Sequence, residues 1–221
     1  MKIYCASDLH MGYERTNYDK ICKFLELAEN KSDELILCGD TFDLWRYSVD
    51  KIDKTTMVEF KTCLNKLKET TKEIPVKIIP GNHDYNLQNV WKDLRKDYDV
   101  EITDSFYQGD IYFTHGWQFD MRQRRLSFAY LWLVTSFPYL YQKYFRKPSQ
   151  MGLPRNDGAY PVSKRIHKET EEFAIKNNLK YVVMGHTHIP TQCNHILDCG
   201  DFIDSCTYIV LDNKKPKMKF I

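Results

Sequence analysis

The sequence predicts a mixed α/β fold (α+β), because the two halves of the chain carry different patterns of apolar residues. In the first half, short apolar runs alternate with amphipathic stretches of helical spacing. In the second half, several short runs follow one another closely, which is typical of antiparallel strands. No internal repeat interrupts this order, so we expect residues 1–221 to form a single domain.

Three strands and two helices are predicted in the first half. The strands are residues 3–6, 35–38 and 76–79, and each is followed by a polar loop. The first helix is expected to begin after Asn17, a residue type that caps helices. The second is expected to begin at Thr56, which forms the signature of a capping box with Glu59.

The second half is predicted to contain one helix among short strands. Residues 101–114 hold two strand-like pieces, separated by the turn residues Gly109 and Asp110. A helix is expected over 163–178 and a strand over 181–184. The closing runs, which end at 208–211, indicate an antiparallel meander, and the lysine-rich segment after them indicates a solvated terminus.

Composition excludes several classes of protein. The chain is 43% hydrophobic and has only nine glycines and eight prolines, which is typical of neither a disordered nor a fibrous chain. Its net charge of +2 provides no overall field that would attract nucleic acid or an acidic membrane. Nucleic acid is therefore not an expected partner.

The cysteines and the N-terminal sequence favour a cytoplasmic protein. The seven cysteines are odd in number and contain no CxxC pair, and those at positions 5 and 38 lie in apolar runs. The first ten residues have no apolar core of a signal peptide. We therefore expect reduced thiols in the cytoplasm.

Residues 117–150 interrupt the alternation and are expected to form a helical, apolar insertion. Between residues 126 and 142 there is no charge and there are many aromatic residues, while arginine and lysine flank the run on both sides. Three interpretations remain open. The run is a short transmembrane helix, a core helical hairpin, or a lid with a basic rim that contacts a lipid-like substrate or the membrane surface.

Five short motifs contain most of the histidines, and each follows an apolar run. They are Asp8-Leu9-His10, Gly39-Asp40, Gly81-Asn82-His83-Asp84, His115-Gly116 and Gly185-His186-Thr187-His188. Because the carboxyl ends of strands in an open α/β sheet share one edge, motifs that are distant in sequence are expected to form a single site there.

The residue types in these motifs predict a binuclear metal site. Carboxylates, an amide and imidazoles suit manganese, iron or zinc and are too rich in nitrogen for calcium. Seven donors exceed the needs of one tetrahedral ion and suit two adjacent ions, which can hold a phosphate group and activate a water molecule. The candidate ligands are Asp8, His10, Asp40, Asn82, His115, His186 and His188.

In this order the motifs resemble those of the calcineurin-like metallophosphoesterases, over residues 3–211. The resemblance implies a four-layer sandwich of two mixed β-sheets flanked by helices, with a helical cap insertion. It also implies that Asp40 bridges two metals. Asp8, His10 and His188 would complete the first site, and Asn82, His115 and His186 the second. His83 would be the general acid, oriented by a hydrogen bond that it donates to Asp84.

Two segments are similar to one branch of the family, which contains UDP-2,3-diacylglucosamine pyrophosphatase. They are residues 39–46 and 198–207, and that branch also has an apolar insertion after its HG motif. Its pyrophosphatases generally have arginine at the position of His83 and aspartate at that of Trp117. Asp120 and Arg122 lie where this branch places substrate contacts, and a solvated edge of the lid is the alternative for both. Trp45 and Arg46 are candidates to hold a substrate base or phosphate, with a core anchor as the alternative for the tryptophan.

The expected function is metal-dependent hydrolysis of a phosphodiester, pyrophosphate or phosphomonoester bond, with water activated between two metals, most simply manganese. The expected partner is a small or lipid-linked phosphoester, with peripheral membrane contact through 117–150 as a further expectation. Two alternatives stay open. One is a nuclease of the same superfamily, and the other is a non-catalytic interaction module that kept the fold.

Overall fold

The computed structural model describes residues 1–44, 57–85, 87, 98–120 and 159–221. Most of the predicted insertion 117–150 lies outside this part of the chain, and so do Thr56 and three predicted substrate contacts, Trp45, Arg46 and Arg122. Among the described residues, no helix combines the length and the apolar character that crossing a membrane requires.

The described residues form helices and short strands in the following order. The helices are α1 (Tyr18–Lys31), α2 (Val58–Glu73) and α3 (Ala159–Lys176). The strands are β1 (Lys2–Ala6), β2 (Glu34–Cys38), β3 (Val76–Ile79), β4 (Val100–Ile102), β5 (Phe106–Gln108), β6 (Ile111–Phe113), β7 (Tyr181–Met184), β8 (Thr191–Cys193), β9 (Ile196–Asp198), β10 (Thr207–Asp212) and β11 (Lys215–Phe220).

The strands are divided between two mixed sheets. The first has the order β11-β10-β1-β2-β3-β4, in which β1 to β4 are parallel and β10 is antiparallel to β1 and β11. The second has the order β5-β6-β7-β9-β8, in which β6, β7 and β9 are parallel. Parallel strands at the centre of each sheet place the loops after their carboxyl ends on one edge.

The two sheets and the helices form four layers, as predicted. Leu35 of β2 packs with Phe24 of α1 on the outer face of the first sheet. The next residue, Ile36, points to the opposite face and packs with Phe113 of the second sheet. Ile166 of α3 covers the far side of that sheet. Successive buried side chains of β2 point alternately to the helices and to the second sheet, as expected for a strand covered on two faces.

One predicted helix start is confirmed, and the other lies at the edge of the described residues. Asn17 caps α1, and its side chain accepts a hydrogen bond from the backbone N–H of Lys20 at 3.2 Å. Helix α2 begins at Val58, with Met57 at the cap position and no side-chain hydrogen bond there. The helix thus begins within two residues of the predicted start, and the capping box stays a prediction because Thr56 lies outside the described residues.

The predicted antiparallel meander at the end of the chain is wrong. Strands β8 and β9 belong to the second sheet, whereas β10 and β11 belong to the first. The loop 199–206 carries the chain from one sheet to the other, which a pattern of short apolar runs does not reveal. The lysine-rich segment is solvent-exposed at Lys215, Lys217 and Lys219, as predicted, but it forms an edge strand, because residues 215–220 pair with β10. All seven cysteines are free thiols in the structure.

Candidate metal centre

All the predicted ligands lie at one end of the sandwich, in loops that follow strands of both sheets. Asp8 and His10 follow β1, Asp40 follows β2, residues 82–84 follow β3, His115 follows β6, and residues 186–188 follow β7. Contacts cross from one sheet to the other, for example between His188 Nε2 and Asp8 Oδ1, which are 3.1 Å apart. The predicted convergence of the motifs is therefore present in the structure.

Backbone strain is concentrated in these loops. Five of the seven predicted ligands have a left-handed backbone, with φ angles between 47° and 71°. This conformation costs a non-glycine residue about 1–3 kcal/mol, and it persists only where the surroundings fix it, as at functional sites. The five residues are Asp8, His10, Asp40, His186 and His188.

Two motif glycines allow the loops to approach each other. A Cβ atom at Gly39, whose φ is 95°, would overlap the ring of His115. A Cβ atom at Gly81 would overlap the carboxylate of Asp40. Any side chain at these two positions would therefore displace a predicted ligand.

The two predicted carboxylate ligands are held in the same way. Asp8 Oδ2 accepts the backbone N–H of His186 at 2.8 Å, and Asp40 Oδ1 accepts that of His83 at 2.7 Å. In each case one oxygen is fixed by the backbone and the other faces imidazoles. Asp8 Oδ1 is buried and makes no hydrogen bond within the described part of the chain, although two imidazoles lie near it. A buried carboxylate oxygen without a donor is expected where a cation binds.

The donor atoms form two groups that share Asp40. In the first group, His10 Nε2 is 3.6 Å from Asp8 Oδ1, 3.9 Å from Asp40 Oδ2 and 3.4 Å from His188 Nε2. Asp40 belongs to two clusters of three residues that have the spacing of metal ligands. One of these clusters also contains His10, and the other also contains His115. Asp40 therefore lies between the two groups.

In the second group, the amide oxygen of Asn82 has two imidazole neighbours. Asn82 Oδ1 is 3.3 Å from His115 Nε2 and 3.0 Å from His186 Nδ1. His115 Nε2 is also 3.3 Å from Asp40 Oδ2. Ligand atoms on an ion with bonds of about 2.1 Å lie about 3.0 Å apart in an octahedron and about 3.4 Å apart in a tetrahedron. The separations in both groups fit this range or slightly exceed it, so the residues present fit a pair of cations.

Each of the four imidazoles has an oxygen atom behind it. The second ring nitrogen of a ligating histidine generally faces such an acceptor, which fixes the orientation of the ring. His115 Nδ1 lies 2.8 Å from the carbonyl oxygen of Cys38. The other three rings face aspartates at 3.6 Å: His10 faces Asp43, His186 faces Asp120 and His188 faces Asp201.

In the candidate centre, aspartate carboxylates and protonated imidazoles stabilise each other's charges. Burial alone would raise the pKa of Asp8, but the imidazoles of His188 and His115 hold it well below its usual value. Burial would lower the pKa of His10, and the carboxylates of Asp43 and Asp8 outweigh burial and raise it to about 9. The pKa of His115 is likewise raised to about 9 by Asp40 and Asp8, against the effect of burial. A cation that binds here must displace protons from these rings.

His83 is partly exposed beside the predicted ligands, but its partner is not the predicted one. Its side chain is 11% exposed, and its Nδ1 atom is 3.3 Å from Asp43 Oδ1. Asp84 does not orient His83, because its two oxygens accept the backbone N–H groups of Gly81 and Phe42 at 2.6 and 3.1 Å. The short Asp84 side chain instead folds back onto its own loop and joins that loop to the one after β2.

The protonation of these residues follows from burial. Burial lowers the pKa of His83, and the nearby Asp40 and Asp43 only partly oppose this effect. Burial and the charge of Asp40 raise the pKa of Asp84 to about 7, in spite of its two backbone hydrogen bonds. His83 is therefore a weaker base, and its imidazolium a stronger acid, than a histidine in water.

Of the predicted substrate contacts, only Asp120 belongs to the described residues. It is buried, and its Oδ2 atom lies 3.6 Å from His186 Nε2, behind that ring. Its other oxygen, Oδ1, is 3.8 Å from Arg165 Nη2 of α3. In this position Asp120 supports a predicted ligand.

Sequence reasoning missed Asp43 and Asp201, two carboxylates that support imidazoles in the site. Asp43 lies three residues after Asp40 in the same loop, so its position after β2 was a usable signal. Asp201 lies in the loop 199–206, which contains none of the five motifs. Its Oδ1 atom accepts the backbone N–H groups of residues 203–205. Only the folded loop places it behind His188.

A known protein family matches most of the chain, including the candidate metal centre. The family called Calcineurin-like phosphoesterase matches residues 1–190, a stretch that contains every predicted ligand. The chain belongs to this family. The phosphoesterase is therefore a metal-dependent hydrolase, and its family implies a centre with two metals, for which the clusters around Asp8 and Asp40 offer the ligands.

Solved structures resemble the phosphoesterase over nearly its whole length. A dimetal phosphatase from Danio rerio is 10% identical, and the match covers 99% of this chain and 95% of that chain with a TM-score of 0.50. A conserved uncharacterized protein from Streptococcus pneumoniae TIGR4, described as a predicted phosphoesterase, is 14% identical. That match covers 100% of this chain and 88% of the other, with a TM-score of 0.43. Among curated proteins, none matches the sequence significantly. The Danio rerio protein supports the four-layer fold.

Proposed function

We propose that the seven residues bind two divalent cations and that the centre hydrolyses a phosphodiester, pyrophosphate or phosphomonoester bond. The observation that carries this proposal is the position of Asp40. Its Oδ2 atom faces His10 on one side and His115 on the other, while the backbone of His83 fixes its Oδ1 atom. One subsite would consist of Asp8, His10, Asp40 and His188, and the other of Asp40, Asn82, His115 and His186.

When bound, two cations would polarise the phosphoryl oxygens and lower the pKa of a water molecule towards neutrality. The chain itself would supply a proton donor and a carboxylate that orients this donor. His83, which is partly exposed, would donate a proton to the leaving oxygen, and Asp43 would hold its ring. The lowered pKa of His83 favours this donation.

The donor set supports a transition metal. Four imidazoles, two carboxylates and one amide suit manganese, iron or zinc, and affinity alone would rank zinc above manganese. We propose manganese as the first ion to test. The rings of His10 and His188 stack at 5.2 Å between centroids, so one substitution there is expected to disturb both ligands.

The sequence of residues 117–150, most of which lie outside the described residues, supports an amphiphilic substrate. Its uncharged aromatic run with basic flanks would suit acyl chains beside a phosphate, as in a substrate that resembles UDP-2,3-diacylglucosamine. We extend the proposal to Trp45, Arg46 and Arg122 as substrate contacts and to a cytoplasmic protein that touches the membrane through this segment.

The test combines metal binding with a substrate screen. Protein treated with EDTA is titrated with MnCl2 by calorimetry, and hydrolysis is then measured on bis-p-nitrophenyl phosphate, p-nitrophenyl phosphate, a nucleotide-diphosphate lipid and single-stranded DNA. We expect two Mn²⁺ ions per chain and hydrolysis of at least one of the first three compounds.

Two variants make the screen specific. His186→Ala removes one proposed ligand, whereas His195→Ala removes an imidazole from the β8–β9 turn, where it faces the carbonyl oxygen of Lys180. We expect His186→Ala to lose the activity and His195→Ala to keep it. Absence of Mn²⁺ binding in the wild-type protein would overturn the proposal, and activity on DNA alone would replace it with a nuclease.

A further inference from the structure

A second cluster of polar side chains lies directly behind the loop that carries His186 and His188. Asp198, at the end of β9, is fully buried. Its Oδ2 atom is 2.7 Å from Thr187 Oγ1 and 2.9 Å from His167 Nε2. None of these three residues belongs to the predicted ligands, and the function proposed above gives them no role.

Asp198 connects three separate segments of the chain. Its Oδ2 atom accepts hydrogen bonds from Thr187, in the loop after β7, and from His167, on α3. Its Oδ1 atom accepts the backbone N–H of Gly200 at 3.0 Å. The carboxylate is thus satisfied on both oxygens, which is what holding a buried charge in one place requires.

Thr187 is the residue on which this connection acts. It lies between two histidines whose φ angles are 71° and 57°, so the backbone on both sides has an unfavourable left-handed conformation. Thr187 Oγ1 donates to Asp198 and also accepts the backbone N–H of Ile189 at 3.1 Å. One hydroxyl therefore joins the strained loop to β9 and closes its turn.

We propose that Asp198 and His167 are positioning residues that act through Thr187 to hold His186 and His188 in the geometry for metal binding. This inference rests on the proposed function, because it assumes that the two histidines bind cations. In it, α3 sets the position of the histidine loop through His167. Outer contacts of this kind typically change metal affinity by about 10- to 100-fold.

The experiment measures the affinity for Mn²⁺ alone by calorimetry in wild-type protein and in paired variants. Thr187→Val keeps the shape of the side chain and removes the hydroxyl, and we expect at least about tenfold weaker Mn²⁺ binding. Thr187→Ser restores the hydroxyl, and we expect affinity close to that of the wild type. His167→Phe should weaken binding, and His167→Gln, which keeps an N–H donor, should weaken it less.

Melting temperature is measured on the same samples to separate positioning from folding. The expected result is a loss of affinity in variants that remain folded at the temperature of the titration, with His195→Ala as a control outside the network. Wild-type protein that binds two ions together with a Thr187→Val variant of equal affinity would overturn this inference alone. Wild-type protein that binds no Mn²⁺ would overturn the proposed function, and this inference with it.

Discussion

The two sheets bring different donors to the candidate centre. Loops of the first sheet supply both carboxylates and the amide, together with a single imidazole, His10. Loops of the second sheet supply only imidazoles, at positions 115, 186 and 188. Neither set would hold two cations by itself, so the site depends on how the sheets pack against each other.

Two hydrogen bonds align these sets. His115 Nδ1 lies 2.8 Å from the carbonyl oxygen of Cys38, and the backbone N–H of His186 donates to Asp8 Oδ2. The first bond joins a loop of the second sheet to the end of β2, and the other joins a loop of each sheet. Packing between the sheets, through residues such as Ile36 and Phe113, therefore controls the geometry of the ligands as well as stability.

The largest effect is expected from Asp40→Asn in the first sheet, compared with His186→Ala in the second. Asp40 faces both groups of donors, so its loss should reduce Mn²⁺ stoichiometry from two to one or none and lower kcat by two or more orders of magnitude. His186→Ala should leave one ion bound. Metal analysis after gel filtration measures both, and two retained ions in Asp40→Asn would contradict the shared position.

The next effect separates the proton donor from the metal ligands. His83→Ala should keep both Mn²⁺ ions and lose about 10²- to 10⁴-fold in kcat on an alkyl phosphodiester, whose leaving group needs a proton. The loss should be smaller on bis-p-nitrophenyl phosphate, because p-nitrophenolate leaves without one. Equal losses on the two substrates would show that His83 has another role.

The two aspartates near His83 provide the control for that experiment. Asp43→Asn removes the carboxylate that faces the rings of both His83 and His10, and we expect its kcat to fall by about 10- to 100-fold. The part of this loss that acts through His83 should show the same dependence on the leaving group. Asp84→Asn loses one backbone hydrogen bond and should mainly reduce the free energy of unfolding, by about 1–3 kcal/mol. The reverse pattern would restore Asp84 as the partner of His83.

The smallest expected effect concerns pH. The pKa values of His10 and His115 are raised from 6.5 to about 9, so their protons stabilise the fold below about pH 6.5 and this stabilisation is lost as pH rises through 9. The melting temperature of EDTA-treated protein should therefore fall by about 3 °C or more over this interval. In excess Mn²⁺ it should not fall, because the cation replaces the protons. Differential scanning fluorimetry distinguishes the two, and parallel curves would contradict the assignment.

Features that depend on residues close together in the chain could be predicted from the sequence. The three strands that precede Asp8, Asp40 and Asn82 were predicted because each is a short apolar run that ends at a polar motif. Convergence of the motifs followed from the rule that parallel strands share an edge. The ligands could therefore be proposed without coordinates.

Features that depend on distant residues could not be predicted. Asp201 supports the ring of His188 from a separate loop, and a carboxylate behind a ring leaves no periodic signal in sequence. The assignment of β9 and β10 to different sheets depends on register between residues far apart in the chain, such as Met184 with Asp198 and Tyr4 with Val210. These pairings are set by the packing of whole sheets.

The pairing of β10 with β1 has a consequence for synthesis of the protein. Because β1 lies between β2 and β10, a nascent chain that has not yet reached residue 207 leaves one side of β1 as an open edge. Such an edge invites pairing with other chains, which is a route to aggregation. Residues 207–212 must therefore be synthesised before β1 is protected, and a chain that stops before Thr207 would keep an aggregation-prone edge.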